Sequence, residues 1–191
     1  VFTQGCNFRC PFCHNGALIP KNPASGRLIP EEEVLQFLSG RLSKLDGVVV
    51  SGGEPTLQPD LASFLGKLKA MGFKIKLDTN GSRPDVLHTL LQSGLVDFVA
   101  MDIKAPPAIY DLLTGVRTHV EKLKESISLI SQSGIRHEFR TTAVKPLLSE
   151  KDILAVKAIV PQGSPHRINP FRRENAFDPK LCNAVQTPNT A

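Results

Sequence analysis

Cys6, Cys10 and Cys13 stand close together in the run Gly5-Cys6-Asn7-Phe8-Arg9-Cys10-Pro11-Phe12-Cys13-His14-Asn15-Gly16. Thiols at such spacings are metal ligands, and soft sulfur donors suit zinc and iron–sulfur centres. A structural zinc site closes with four ligands, and a cubane 4Fe–4S cluster also ordinarily takes four thiolates. His14 adjoins Cys13, but neighbouring residues on a short loop rarely converge on one ion, so it reads as a loop residue. The chain's fourth cysteine, Cys182, is too distant in sequence to be paired with the other three and reads as a free thiol. Three thiolates leave one metal position open, and an open position signals chemistry in place of a structural staple. An iron with an open position can chelate a small molecule; a zinc-binding module is the competing reading.

The other polar clusters all follow short apolar runs. Ser51-Gly52-Gly53-Glu54-Pro55 follows Val48-Val49-Val50, and Asp78-Thr79-Asn80-Gly81 closes a strand pattern running from Phe73 to Thr79. Asp102 and Lys104 end Phe98–Asp102, Arg140 falls within His137–Thr142, and Asn169 with Phe171 ends the weaker strand Arg167–Asn169. Val1-Phe2-Thr3 supplies a first strand before the cysteines. Between the strands lie helical periods: one from Pro30 through Leu42, then Asp60–Met71, Pro84–Ser93, His119–Ser133 and Glu150–Ile159. Gly72, Gly94 and Gly134 sit where helices stop.

Alternating strands and helices imply a parallel sheet with right-handed crossovers. About six β/α units fall short of the eight in a closed barrel, leaving a doubly wound sheet or a partial barrel. Either architecture gathers its site at the rim after the strands, where every polar cluster above falls.

The length of 191 residues suits one domain, here 1–179, with a surface tail over 180–191, and the Pro- and Asn-rich composition already reads as a surface tail after Pro170. A 41% hydrophobic and 21% charged composition is that of a soluble globular protein. No apolar run approaches the roughly 20 residues of a membrane span. The net charge of +5 comes from scattered basic residues, and one Tyr with no Trp gives nucleic-acid binding no support.

The pattern Cys6-x-x-x-Cys10-x-Phe12-Cys13, followed after the next expected strand by Gly52-Gly53-Glu54-Pro55, resembles the signature of radical S-adenosylmethionine enzymes, and the likeness runs from Phe2 to about Pro179. More narrowly, the opening run, Asp78–Gly81 and Met101-Asp102-Ile103-Lys104 resemble activating enzymes of glycyl-radical proteins. Within these the chain is most similar to anaerobic ribonucleoside-triphosphate reductase activating proteins, with pyruvate formate-lyase activating enzyme the near relative. The resemblance implies a partial (β/α)6 barrel of TIM type, mostly parallel. It implies a 4Fe–4S cluster on Cys6, Cys10 and Cys13, with S-adenosylmethionine chelating the fourth iron and no catalytic side chain beyond the ligands. One-electron reduction cleaves the sulfonium, and the 5′-deoxyadenosyl radical takes hydrogen from a partner's glycine.

By the same resemblance Phe12 lies near the adenine or the cluster, Gly52 and Gly53 admit the methionine part, and Glu54 meets its ammonium group. Asp78, Thr79, Asn80 and Asp102 line the polar end of the ligand and can hold a monovalent cation. Lys104 and Arg140 neutralise carboxylate or contact the ribose, and Asn169 and Phe171 close over the adenosine. The implied partners are a glycyl-radical protein, foremost the anaerobic ribonucleotide reductase, and a one-electron donor such as flavodoxin or ferredoxin, in the cytoplasm. A pyruvate formate-lyase-type activating enzyme and a radical enzyme acting on a small molecule are the rivals. A segment leading into the first strand is expected before Val1, so the chain reads as trimmed there.

Overall fold

Residues in β3 (Lys74–Thr79) alternate between buried and partly exposed, as a strand between two different environments must. The computed structural model describes every residue except 24, 25, 27, 146, 175 and 184–191. β3 is the third of six strands, joined by β1 (Phe2–Thr3), β2 (Gly47–Gly52), β4 (Phe98–Asp102), β5 (Arg136–Ala143) and β6 (His166–Pro170). All neighbours are parallel and the spatial order repeats the chain order. A parallel neighbour requires a crossover. These are α1 (Glu31–Ser39), α2 (Leu61–Ala70), α3 (Pro84–Gln92), the short α4 (Tyr110–Thr114) with α5 (Val120–Gln132), and α6 (Glu150–Ile159). α7 (Pro179–Asn183) follows the last strand. Consecutive order with one hand of crossover curls the sheet into a partial (β/α)6 barrel whose edges are β1 and β6.

The outer face of the sheet holds the fold together. Val50, Leu77 and Val99 are register neighbours on β2, β3 and β4, and all are buried. Leu65 and Leu68 of α2, Leu87 and Leu90 of α3 and Ile130 of α5 belong to the same core. Each such side chain contributes about 2 kcal/mol by leaving water. Local signals set the ends of several helices. Glu31, Glu32 and Glu33 place negative charge in the first turn of α1. Ser149 and Asp152 form a reciprocal capping box on α6. Gly72, Gly94 and Gly134 directly follow the C-caps of α2, α3 and α5, as their spacing suggested.

Three expectations are corrected. The first helix stops at Ser39 and Leu42 lies beyond it, because Phe37 and Leu42 are both exposed and no core rewards another turn. Second, α4 had no sequence counterpart: it is five residues long, enters from a 3-10 turn over Pro107–Ile109 and ends at Gly115 in a left-handed conformation. Third, the stretch after β6 is not simply a surface tail, since Ala176 and Leu181 are buried. Leu181 lies in α7, inside the segment expected to be tail, while residues 184–191 and the Cys182 side chain fall outside the described residues. Among the described residues no helix is long and apolar enough to cross a membrane.

Candidate functional site

The loop carrying the three cysteines leaves β1 and is held by backbone bonds from four directions. Gly5 and Cys6 donate to the carbonyls of Leu18 and Ile19 at 2.8 and 3.0 Å. Arg9 N–H reaches Thr114 at the end of α4 at 2.7 Å, and Glu54 N–H reaches the Gly5 carbonyl at 2.8 Å. The C-terminal segment closes the loop from above, with Phe177 donating to Cys13 at 2.9 Å and Asp178 to Pro11 at 2.8 Å. Cys13 N–H turns back to the Cys10 carbonyl at 3.0 Å. The result is a rigid scaffold whose thiols, Cys6, Cys10 and Cys13, line one cavity of about 280 Å³ at the C-terminal rim of the sheet.

Two N–H groups are aimed at Cys6 Sγ: Phe8 N–H at 3.4 Å and Asn80 Nδ2 at 3.9 Å. Burial pushes the Cys6 thiol up from its ordinary value. Cys10 is deeper, and burial pushes its thiol up to about 11 against the opposing charge of Lys104. Neutral thiols suit a metal-free pocket; bound metal replaces the proton. Among the described residues no three His, Cys, Asp or Glu side chains converge closely enough to hold a single ion. In a cluster each thiolate takes its own iron, so thiols on one rim need not converge on a single ion.

Gly52 ends β2, Gly53 follows it, and both line the cavity. They also have a packing role. A Cβ at Gly52 would run into the Thr3 backbone, and one at Gly53 into the Gly5 carbonyl, while Gly52 also holds φ at 123°. The glycines therefore allow β2 to pass flush under the cysteine loop. Glu54 is likewise committed within the protein. It is 1% exposed, and its Oε1 accepts from Thr56 N–H at 3.1 Å, Thr56 Oγ1 at 2.5 Å and Thr79 Oγ1 at 2.7 Å. Its Oε2 accepts from Asn80 N–H at 2.6 Å. Burial pushes the Glu54 carboxyl up, against the donors that favour its charged form. One carboxylate thus pins the end of β2 to the end of β3. Asn80 extends the clip to the cysteine loop, with Nδ2 donating to Asn7 Oδ1 at 2.9 Å.

Charged residues form the opposite wall of the cavity. Arg140 Nε donates to Asp102 Oδ1 at 2.8 Å, and its Nη1 donates to Asp78 Oδ2 at 3.1 Å. Lys104 Nζ donates to Asp102 Oδ2 at 2.8 Å and stands 6.0 Å from the centre of the Phe12 ring. Burial would raise the Asp102 carboxyl, but the charges of Lys104 and Arg140 outweigh it and hold the group below its ordinary value. Arg140 thus bridges the two aspartates. Asp78 Oδ1 is buried and accepts no hydrogen bond, although Lys76 Nζ lies 3.3 Å away. Its charge is balanced by that ion pair and by the Arg140 contact on the other oxygen.

Phe12, Thr79 and Asn80 line the cavity together with Asp78, Asp102, Lys104 and Arg140. Asn169 and Phe171 do not. The cavity reaches Thr142 on β5 and stops short of Asn169, its register partner on the edge strand β6. Phe171 is instead stacked on His14, with ring centres 5.9 Å apart and planes 4° apart. His14 itself lines the cavity and donates to the Arg172 carbonyl at 2.6 Å, more than a bystander on a loop. Sequence reasoning also passed over Ser51 and Thr142. Strand alternation could have found both, since they share the face of Asp78 and Arg140.

The Radical SAM superfamily matches the chain over residues 1–156. A Methanocaldococcus jannaschii protein named as a glycyl-radical enzyme activating enzyme is 32% identical over 183 residues, covering 93% of this chain and 74% of its own length. The pyruvate formate-lyase-activating enzyme of Clostridium pasteurianum is 37% identical over 109 residues, 54% of this chain and 44% of that enzyme. A Thermococcus kodakarensis protein named as a GTP 3′,8-cyclase is 32% identical over 134 residues, 68% of this chain and 43% of its own. Among solved structures, Streptococcus suis SuiB bound to S-adenosylmethionine superposes with a TM-score of 0.69 at 16% identity, over 89% of this chain and 39% of SuiB. At that identity the likeness speaks to the fold alone. The zinc-module reading falls with the family match: this chain belongs to the radical SAM superfamily, whose enzymes work with a 4Fe–4S cluster and S-adenosylmethionine.

Proposed function

We propose that this chain is an activating enzyme: it cleaves S-adenosylmethionine reductively and installs a glycyl radical on a partner protein, the anaerobic ribonucleoside-triphosphate reductase. The observation that carries the reading is a rim where three thiols face one cavity whose opposite wall holds Asp78, Asp102, Lys104 and Arg140. Cys6, Cys10 and Cys13 are the residues that would hold the cluster. When bound, the cluster supplies one electron to the sulfonium, and the 5′-deoxyadenosyl radical so formed takes a hydrogen atom from glycine.

The chain's own residues bind, orient and shield. Asp78 is the cavity carboxylate assigned to the ammonium group of the methionine part, because the Glu54 carboxylate is already engaged by four donors. Lys104 and Arg140 supply positive charge for its carboxylate, and Phe12 supplies an apolar wall. Phe8 N–H and Asn80 Nδ2 stabilise charge on Cys6 Sγ. A polypeptide substrate is the reading supported by the similarity to relatives named as activating enzymes. The cytoplasm, which keeps thiols reduced, is the proposed compartment.

A second reading, with pyruvate formate-lyase as the partner, rests on the similarity to the Clostridium pasteurianum enzyme. Anaerobic reconstitution with iron and sulfide, then dithionite and S-adenosylmethionine, tests the shared chemistry. The parent should form 5′-deoxyadenosine and the Cys10→Ala variant none. Adding each candidate partner in turn and recording electron paramagnetic resonance identifies the substrate by its glycyl-radical signal. 5′-Deoxyadenosine without a signal on either partner overturns the activating role, and no 5′-deoxyadenosine overturns the activity.

A further inference from the structure

A second cavity, of about 160 Å³, opens on the other side of the cysteine loop. Asn7 and Phe8 of that loop form one wall, Ser82 and Arg83 before α3 another, and Arg117 and Lys122 around the start of α5 the third. Phe8 also lines the site cavity, so a single stretch of loop separates the two. A continuous chain of polar contacts crosses it. Asn7 Nδ2 donates to Ser82 Oγ at 2.9 Å, Asn80 Nδ2 donates to Asn7 Oδ1 at 2.9 Å, and the same Nδ2 stands 3.9 Å from Cys6 Sγ.

The mouth of this cavity is basic. Arg117 and Lys122 are exposed, Arg83 is partly exposed, and no carboxylate is among the lining residues. Close by, Asp85 is paired with Arg83 at 2.7 Å, Asp111 accepts the Thr118 N–H at 2.8 Å, and Glu121 is paired with Lys124 at 2.8 Å. The lining itself is therefore positive.

We infer that this face docks a small acidic one-electron carrier, which delivers its electron to the metal through Asn7, Asn80 and the Cys6 sulfur. The inference rests on the activity proposed above. The step is balanced without protons: the reduced carrier loses one electron and the oxidised cluster gains it. Charge complementarity and a small contact suit such an encounter, which must be brief for turnover.

The test titrates the cluster-loaded protein with a reduced flavodoxin by calorimetry, at low and at physiological salt. The parent binds at low salt and loses affinity steeply as salt rises. The double variant Arg117→Glu/Lys122→Glu raises Kd by about tenfold or more at low salt and flattens the salt dependence. Lys151→Glu, an equal kind of charge change on the exposed side of α6, leaves both unchanged. With dithionite in place of flavodoxin, the double variant forms 5′-deoxyadenosine at the parental rate. Unchanged flavodoxin binding in the double variant overturns the inference, as does loss of its dithionite-driven turnover. A parent inactive with dithionite overturns the activity proposed above, and the binding comparison then decides the docking face alone.

Discussion

The two faces of the same six strands are built on opposite terms. Outward from β3 and β4 point Ile75, Leu77, Val99 and Met101, all buried and all apolar. Inward point Lys76, Asp78, Phe98 and Asp102, which meet Glu138 and Arg140 of β5 in a lattice of charges. Lys76 spans Asp78 and Glu138 at 3.3 and 3.6 Å, and both Lys76 and Arg136 approach the Phe98 ring, at 5.5 and 5.8 Å. The outer face needs only volume and hydrophobicity and tolerates chemical substitution of like size. The inner face needs particular atoms at particular places, because each charge is stabilised by a named neighbour. Stability resides in one face and chemistry in the other, one residue apart along the same strand.

That division can be attacked from either side. The largest effect on stability belongs to the outer face: Leu77→Ala should cost about 3 kcal/mol, read as a lower urea midpoint with an unchanged slope. Glu54→Gln is the next largest, at about 2 kcal/mol, although Glu54 lines the site. The amide must turn an N–H toward a group that itself donates, whether Asn80 N–H, Thr56 or Thr79. If that variant is as stable as the parent, the clip between β2 and β3 is not structural.

Arg140→Met, on the inner face, should cost the least, about 1–2 kcal/mol near neutral pH, because Asp102 keeps Lys104 and is partly open to water. Its pH dependence separates the faces more sharply than its size. The Asp102 carboxyl sits below its ordinary value in the folded protein, so its contribution is complete above the unfolded carboxylate pKa of about 4 and is lost as pH falls through the folded value. The gap between parent and Arg140→Met should therefore shrink below about pH 4, while that for Leu77→Ala should not. Urea unfolding across that range measures both.

Most of the architecture was legible because its signals are local. The alternation in Lys74–Thr79 and the charge at Glu31–Glu33 act within a few residues, and the strand order follows from strand–helix alternation. The cysteine triplet was legible for the same reason, being one short loop. What escaped depends on contacts between distant parts of the chain. Glu54 was assigned to a ligand because its four donors, from Thr56, Thr79 and Asn80, cannot be read from a Gly-Gly-Glu sequence. The resemblance put Asn169 and Phe171 over the adenosine; Asn169 lies in the edge strand β6 and Phe171 just after it, and neither lines the cavity, which reaches Thr142 on β5. The stretch after Pro170 looked like a tail from composition, whereas Phe177 and Asp178 bond back to the first loop.

Those last two bonds set an order of assembly. The cysteines are made well before Phe177 and Asp178, whose N–H groups hold the Cys13 and Pro11 carbonyls. Contacts between such remote segments form only after the intervening chain has been ordered, since closing a long loop costs entropy that nothing local repays. The cysteine loop therefore reaches its final geometry only once the whole sheet is in place. Metal delivered to the nascent chain meets a floppy thiol hairpin, and metal delivered to the finished protein meets a rigid socket.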